Sequence, residues 1–185
     1  MKNLPSFFLP FGLALLIFGT SHQTRAGSAP EPASPPANPI VSPSSLPLQE
    51  ARAIIDGAIA FARSQNMRMA VVVLDDGGHL ISADRMDGTS FNSERQASGK
   101  ALTAVISRRP SAEMAELIKT APERFYGIMH MWPGQVYIVS GGIPLVVINR
   151  LVGGVGVSGL PSGVDEKAAK AGIEAWQKYR EAAKK

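Results

Sequence analysis

Two apolar segments near residue 150 give the clearest secondary-structure signal in the chain. Ile143–Ile148 and Leu151–Val157 are short, rich in valine and isoleucine, and bounded by glycines. Runs of this length and composition are typical of strands buried on at least one face. Asn149-Arg150 lies between them, and asparagine tolerates the left-handed conformation that a tight two-residue turn requires. The pattern therefore predicts a β-hairpin.

The pattern upstream predicts an amphipathic helix followed by a second hairpin. Between Leu48 and Arg63 the apolar positions 48, 51, 55, 58, 59 and 62 fall on one helical stripe. Met69–Leu74 is a continuous apolar run of strand length, and Asp75–Gly78 is a strong turn signal because aspartate and glycine adopt positive φ at little cost. His79–Met86 is the return strand, and its mixed polarity favours an edge position, or a wall that faces a ligand or another subunit.

The remaining pattern predicts three more helices and one more strand. In chain order these are a helix from Ser93 to about Ser107, a short helix that Ser111 caps and Pro122 ends, a loop over 123–135, a strand over Val136–Val139, and a last helix capped by Asp165. The element order is α-β-β-α-α-β-β-β-α. With two tight hairpins, it predicts an α/β (α+β) fold, in which a mostly antiparallel five-stranded sheet has helices packed on its faces.

The N-terminal region has the features of an export signal and a linker. Residues 1–26 begin with Lys2 and contain the apolar stretch Phe7–Phe18, which is too short to span a bilayer. We therefore predict a cleaved signal peptide and a periplasmic or secreted protein without stable membrane insertion; an uncleaved anchor is the alternative. Residues 27–47 hold 7 of the chain's 14 prolines, which predicts a flexible, extended linker before a folded domain at 48–185.

Composition narrows the possible functions. Apolar residues make up 45% of the 185 positions and charged residues 18%, which is typical of a folded globular domain. The formal charge of +4 falls to +2 once the two basic residues of the leader are removed. No cluster of basic residues with interleaved aromatics is present, so we predict no nucleic-acid partner. The chain has no cysteine, which excludes disulfides, thiolate metal sites, a cysteine nucleophile and covalent haem attachment.

The second apolar segment also contains the glycine pattern of a dinucleotide-binding loop, at Gly154, Gly156 and Gly159. Such a loop requires a strand that leads directly into a helix, and the next predicted helix begins only near Asp165. The valines between the glycines indicate the interior of a strand instead. We therefore expect these glycines to let another backbone, a subunit or a flat ligand approach the strand closely.

Seven segments in chain order also carry a family resemblance: Val73–Leu80 (VLDDGGHL), Arg85–Gly88 (RMDG), Lys100–Ala104 (KALTA), Phe125–Ile128 (FYGI), Gly141–Leu145 (GGIPL), Val152–Gly159 (VGGVGVSG) and Asp165-Glu166. Together they resemble the GlcG/HbpS-like family, whose domain is also called the haem-degrading domain and is similar to the C-terminal domain of PduO-type proteins. The resemblance covers about residues 48–180. The chain departs from the family pattern at Ile148-Asn149, where Asp-Gly is usual.

The resemblance implies a small profilin/PAS-like α/β domain with an antiparallel sheet that forms homo-oligomers. It also implies non-covalent haem binding, which occurs in several members, and some secreted members look like redox sensors or haem stores. A haem site needs a flat apolar slot, a donor atom for the iron, and cations or hydroxyls for the propionates.

Lys100 and Thr103 lie in the segment similar to the family's haem-contacting helix. Lys100 could pair with a propionate, or could be a solvated surface charge. Thr103 could line or ligate the site, or its hydroxyl could bond back to a helix carbonyl.

His130 lies in the most ligand-like local sequence, Met129-His130-Met131-Trp132, which joins an imidazole and two thioethers to an aromatic ring. The same residues could instead form a hydrophobic plug that closes the sheet. A copper site built on the two methionines and the histidine is a further alternative. Tyr126 is a secondary candidate.

His79 and Arg85 complete the candidate haem-binding set. His79 follows the first hairpin turn, where an exposed histidine without a ligand is the alternative. Arg85 could equally be an ordinary cation on an edge strand.

The sequence offers little support for an enzyme. Asp75-Asp76 is explained by turn chemistry, and Ser158 lacks the spacing and the following helix of a nucleophile elbow. We therefore predict an exported, non-catalytic haem- or tetrapyrrole-binding protein. The alternatives are an enzyme acting on haem or a small organic substrate, and a ligand-free oligomer that works with another exported protein.

Overall fold

A computed structural model describes residues 46–184, apart from the side chain of Ser162. The predicted signal peptide and nearly all of the predicted linker lie outside this range. The elements are α1 (Leu48–Ser64), β1 (Ala70–Asp75), β2 (Leu80–Arg85), α2 (Ser93–Ser107), α3 (Ser111–Ala115), α4 (Leu117–Thr120), α5 (Pro122–Met131), β3 (Gly142–Val147), β4 (Arg150–Ser158) and α6 (Ser162–Ala182). None of these helices is long and apolar enough to cross a membrane.

The strands form one antiparallel sheet in the order β2-β1-β4-β3. Both predicted hairpins are present, and β1 pairs with β4 to join them into a single sheet. The predicted edge position of the second strand is confirmed, because β2 lies at one end of the sheet. The predicted fold class is therefore confirmed, with helices packed on both faces.

The alternating side chains of β1 belong to two separate hydrophobic cores. Val71 and Val73 pack in the larger core with residues of α1 and α6, including the buried Trp176. Val72 and Leu74 point to the opposite face, where they pack against α2. A strand covered on both faces must be apolar at every position, which explains the continuous apolar run in the sequence.

The glycines of β4 let the backbone of α2 lie directly against the sheet. A Cβ atom on Gly156 would overlap the carbonyl oxygen of Ala97, and one on Gly154 would come within 2.9 Å of the carbonyl oxygen of Ala101. Gly142, which pairs with Gly156, is crowded in the same way by the carbonyl group of Lys100. The prediction that these glycines admit another backbone is confirmed, and that backbone is α2.

The predicted fifth strand is wrong. Residues 136–139 pair with no strand, because their backbone is turned toward a helix. The N–H of Tyr137 donates to the carbonyl of Gly99 (3.1 Å) and to the hydroxyl of Thr103 (3.2 Å), both on α2. The sheet therefore has four strands, and this segment covers α2 instead.

Several predicted helix boundaries also differ. The predicted loop over 123–135 is largely helix α5, because Pro122 occupies its first turn, where a missing N–H costs nothing. The single short helix before it is split into α3 and α4. The last helix begins at Ser162, so Asp165 lies within its first turn and does not cap it.

The turn between β3 and β4 lies one residue earlier than predicted. Ile148 and Asn149 occupy it, with φ of 48° and 61°, and Arg150 is the first residue of β4. Positive φ at both central positions is the conformation of a type I′ hairpin turn. Asparagine adopts it readily, whereas an isoleucine held there is strained.

Candidate functional site

A cavity of about 860 Å³ opens at the end of the sheet where β4 meets the start of α6. Its walls come from the connection between α1 and β1, the loop between β2 and α2, the first turns of α2, and the segment that follows β4. The residues that line it are Arg63, Asn66, Met67, Arg68, Met86, Gly88, Thr89, Ser90, Ser93, Gln96, Lys100, Tyr137, Val139, Ser158, Gly159, Leu160, Pro161 and Asp165. Its volume falls in the range of small-molecule and cofactor sites.

A buried ion pair forms the floor of this cavity. The Lys100 ammonium donates to Asp165 Oδ2 (2.6 Å) and to the carbonyl of Val157 (2.9 Å), and both charged side chains are only 2% exposed. The other carboxylate oxygen, Asp165 Oδ1, accepts the N–H of Leu160 at 3.0 Å. One carboxylate therefore links α2, the end of β4 and the start of α6.

Burial is the dominant influence on the Asp165 carboxyl. It raises the pKa of Asp165 above its ordinary value, although the hydrogen bond and charge of Lys100 and the N–H of Leu160 act in the opposite direction. Removal of a carboxylate from water therefore outweighs its ion pair here.

Polar side chains on α2 form a further wall. The Ser158 hydroxyl donates to Gln96 Oε1 (2.9 Å), and the Gln96 amide lies 3.5 Å from the Tyr137 hydroxyl. Ser93, at the start of α2, is 2% exposed and lines the same cavity.

Two guanidinium groups line the opposite wall. Arg63 belongs to the last turn of α1, and Arg68 immediately precedes the sheet. Both also line a neighbouring cavity of about 520 Å³, which includes Arg85 and Asp87. The larger cavity is therefore basic on this side, because the charge of its only other cation, Lys100, is balanced by Asp165.

The predicted site residues on α2 and β2 lie around this cavity at different depths. Of the seven predicted residues only Lys100 lines it, and its burial shows that it is not a solvated surface charge. Arg85 supports the rim, because its guanidinium donates to the carbonyl of the lining residue Thr89 at 2.8 Å. Thr103 is buried behind the cavity, where its hydroxyl donates to the Gly99 carbonyl at 2.8 Å.

Three other predicted residues are on α5, away from this cavity. Tyr126, Met129 and His130 follow the helical i, i+3, i+4 spacing, so they share one face, and all three are exposed. None of the ten residues of α5 is buried.

His79 also lies apart, in the β1–β2 hairpin. Its ring nitrogen Nδ1 is 3.3 Å from Asp75 Oδ1 on an exposed turn. The structure thus divides the seven predicted residues among three places. Within residues 46–184, no group of three histidine, aspartate or glutamate side chains is arranged to hold a metal ion.

Sequence reasoning missed most of the cavity wall. The sequence pattern predicts only that Arg63 ends a helix and that Met67 and Arg68 precede a strand. The density of cations and thioethers between Arg63 and Met69 was a signal, but its meaning depends on loops that are distant in sequence.

Comparisons with known proteins place this chain among its relatives. Residues 46–174 match the model of the HbpS-like family, which is described as "Haem degrading protein HbpS-like". The chain belongs to this family. It is also 33% identical to the protein GlcG of Escherichia coli K12 over 113 residues, which are 61% of this chain and 81% of GlcG.

Two solved structures extend the comparison to the fold. A complex of PduOC with haem is similar with a TM-score of 0.65 and 26% identity, over 71% of this chain and 94% of PduOC. A double mutant of HbpS from Streptomyces reticuli is similar with a TM-score of 0.65 and 30% identity, over 79% of this chain and 97% of HbpS. The family and the haem complex of one relative support haem binding as the coarse function.

Proposed function

We propose that this protein binds haem non-covalently and that the cavity floored by Lys100 and Asp165 is the site. The observation that carries the proposal is the combination of side chains around one cavity of suitable size. The cavity lining contains cations that could bind the haem propionates, thioethers that could ligate the iron, and apolar surface that could contact the porphyrin ring. The neighbouring cavity of about 520 Å³ shares Arg63, Arg68 and Met86 with it, but its lining does not include Met67 or the ion pair of Lys100 and Asp165.

The donor set fits a haem group. Met67 and Met86 are half-buried thioethers that line the cavity, and thioethers are iron ligands in haem proteins. Arg63 and Arg68 provide positive charge for the propionates. Apolar surface comes from Val139, Leu160, Pro161 and the ring of Tyr137.

This assignment gives each lining group a separate task. Bound haem would supply a redox-active iron. The ion pair of Lys100 and Asp165 holds the floor in place, and the carboxylate also fixes the backbone of Leu160 at the rim. The guanidinium groups of Arg63 and Arg68 bind the acidic edge of the ligand.

The exposed face of α5 is the competing location. Tyr126, Met129 and His130 could offer a phenol, a thioether and an imidazole to the same iron. The two locations are separated by paired variants. We expect Met67→Leu and Met86→Leu to change the absorption spectrum of the bound haem, and His130→Ala to leave it unchanged.

A haemin titration of the full-length chain tests the proposal itself. We expect the Soret band to shift and to saturate at a fixed stoichiometry. Absence of a shift, or a response that does not saturate, would contradict haem binding. A shift lost with His130→Ala but retained in both methionine variants would move the site to α5.

The family description also makes haem breakdown a testable alternative. The same complex, incubated with a reductant and oxygen, should retain its Soret band if the protein only binds haem. Formation of verdohaem- or biliverdin-like products at a rate above that of free haemin would establish an enzyme.

We further propose that the protein is exported and forms a homo-oligomer. Export is supported by the N-terminal sequence, and N-terminal sequencing of the mature protein should begin near Gly27. Oligomer formation is supported by α5. None of its ten residues is buried, yet a helix of that length is only marginally stable in water without packing. Contacts with another copy of the chain would supply that packing. Light scattering should therefore give a mass that is a multiple of one chain, and Met131→Glu should reduce it.

A further inference from the structure

The two arginines of the cavity wall have no partners among the described residues. Neither Arg63 nor Arg68 makes a side-chain hydrogen bond or an ion pair within residues 46–184. Two other arginines, Arg52 and Arg180, are paired, with Asp84 at 2.8 Å and with Glu50 at 3.1 Å. Arg63 and Arg68 differ from the remaining arginines because both line the same cavity. Asp84 and Asp87 line the adjoining cavity with both arginines, but neither forms an ion pair with them. The guanidinium donors of Arg63 and Arg68 are therefore available for an anionic ligand.

Arg68 is also held in position. A Cβ atom on Gly88 would overlap its guanidinium nitrogen, so Arg68 lies directly against the backbone of the β2–α2 loop. Gly88 has a φ of +72°, a conformation that side chains rarely adopt, so the loop sequence favours this contact. The absence of a side chain at Gly88 therefore lets the Arg68 guanidinium lie on the cavity wall.

A third polar group faces the same space. Ser93 is nearly fully buried and lines the cavity. It belongs to the first turn of the fifteen-residue helix α2, whose positive end favours an anion. The basic wall and this helix end thus favour the same sign of charge.

The cavity has fewer groups that could ligate iron than groups that could bind an anion, and those iron ligands are weak. The Lys100 ammonium is bound to Asp165 and Val157, and the Tyr137 hydroxyl is within reach of Gln96. Neither His79 nor His130 lines the cavity. Two thioethers, Met67 and Met86, remain, and a thioether is a softer and weaker donor than an imidazole.

We propose that the cavity recognises a porphyrin by its carboxylates and that iron is not required for binding. The inference rests on the proposed function, and it makes Arg63 and Arg68 the residues that determine specificity. The ligand class is then the dicarboxylic porphyrins, with or without a metal ion.

The test compares three probes by equilibrium titration of the full-length chain: haemin, metal-free protoporphyrin IX, and the dimethyl ester of that porphyrin. We expect the metal-free porphyrin to bind within about threefold of haemin and the ester to bind at least about tenfold more weakly. Arg63→Gln and Arg68→Gln should each weaken both acids about three- to tenfold, because a partly exposed charge contributes modestly. Arg150→Gln removes an equal charge outside the cavity and should have no effect.

The outcomes separate this inference from the proposed function. If haemin binds but the metal-free porphyrin does not, or if both arginine variants bind like the parent, recognition by carboxylates is refuted and haem binding stands. If neither porphyrin acid binds, the proposed function fails as well. Binding of succinate that depends on both arginines, without porphyrin binding, would replace the porphyrin with a small dicarboxylate.

Gly88→Ala provides a test that keeps the charge. The added methyl group displaces the Arg68 guanidinium, so affinity for both acids should fall by a larger factor than affinity for the ester. An equal loss for acids and ester would indicate general damage to the loop and would contradict the role of Arg68. Thermal unfolding of the variant is measured in parallel to confirm that it is folded.

Discussion

Lys100 and Asp165 are separated by 65 residues in sequence, yet they form the most deeply buried ion pair in residues 46–184. Taking two charges from water costs several kcal/mol, which their attraction offsets only when the remaining donors and acceptors are bonded. Here Lys100 also reaches the Val157 carbonyl, and Asp165 also accepts the Leu160 N–H. The pair therefore acts as a brace between α2 and the start of α6.

Removing one member of this pair should be strongly destabilising. Lys100→Met or Asp165→Asn leaves a buried charge without its partner, and we expect the free energy of unfolding to fall by about 3–5 kcal/mol. Chemical denaturation measures the change. The exposed pair of Lys119 and Glu116 is the control, since Lys119→Met should cost less than about 1 kcal/mol. Similar losses from the buried and exposed pairs would contradict this account.

The raised pKa of Asp165 gives a second prediction. A carboxyl whose pKa is higher in the folded protein binds more protons there than in the unfolded chain, so its contribution to stability decreases as pH rises from 3.8 through the raised value. The stability of the parent minus that of Asp165→Asn should therefore decrease across this range. Glu166, whose pKa is lowered by Lys170 and Ser140, is present in both proteins, so its opposite contribution largely cancels.

Denaturation of both proteins at a series of pH values gives this difference directly. A difference that increases with pH would mean that the ion pair with Lys100 outweighs burial, contrary to the direction stated here.

At the scale of the elements, the contact between α2 and β4 is the most constrained. Gly154 and Gly156 leave no space between the helix backbone and the sheet, and this close approach also places the first turns of α2 at the cavity. The geometry of the site thus depends on glycines that do not belong to it.

Gly156→Ala should reduce stability by about 1–3 kcal/mol or more, because its methyl group would overlap the carbonyl of Ala97. Gly127 in α5 is a matched control, since nothing lies within 4 Å of an added Cβ there. Gly127→Ala should be neutral or should stabilise the helix by about 0.5–1 kcal/mol. Thermal unfolding measures both, and an equal response at the two sites would contradict the close contact.

The β3–β4 turn gives an element-scale prediction of the opposite sign. Ile148 has a φ of 48°, so its backbone is strained, and its side chain is 95% exposed and makes little packing contact. Ile148→Asn should raise the free energy of unfolding by about 1 kcal/mol. Val146→Asn, at an exposed position within β3, should not stabilise the protein. A destabilising Ile148→Asn would show that this side chain has a partner.

An element can be predicted from the sequence when the residues that determine it lie close together in the chain. The β1–β2 hairpin was found because Asp75–Gly78 determines it within four residues. Val136–Val139 has the composition of a strand, but composition does not show that its backbone bonds to Gly99 and Thr103 of a helix. The burial of Lys100 is equally hard to predict, because it depends on an ion pair with Asp165, which lies 65 residues away in the sequence.

At the scale of the whole molecule, family membership and the position of the cavity lead to one account. The chain shares its fold with PduOC, which has been solved with haem, and with HbpS. The cavity is lined by three cations. Arg63 and Arg68 form no ion pair within residues 46–184, whereas Lys100 is paired with Asp165. Of the other predicted donors, Tyr126, Met129 and His130 lie on the exposed α5, which we propose contacts other copies of the chain, and His79 lies on an exposed turn.

A crystal structure of the protein grown with haemin would test this account most directly. We predict porphyrin density in the cavity above Lys100 and Asp165, with its carboxylates next to Arg63 and Arg68. Ordered porphyrin on the Tyr126, Met129 and His130 face of α5, with the cavity left without it, would contradict the central claim.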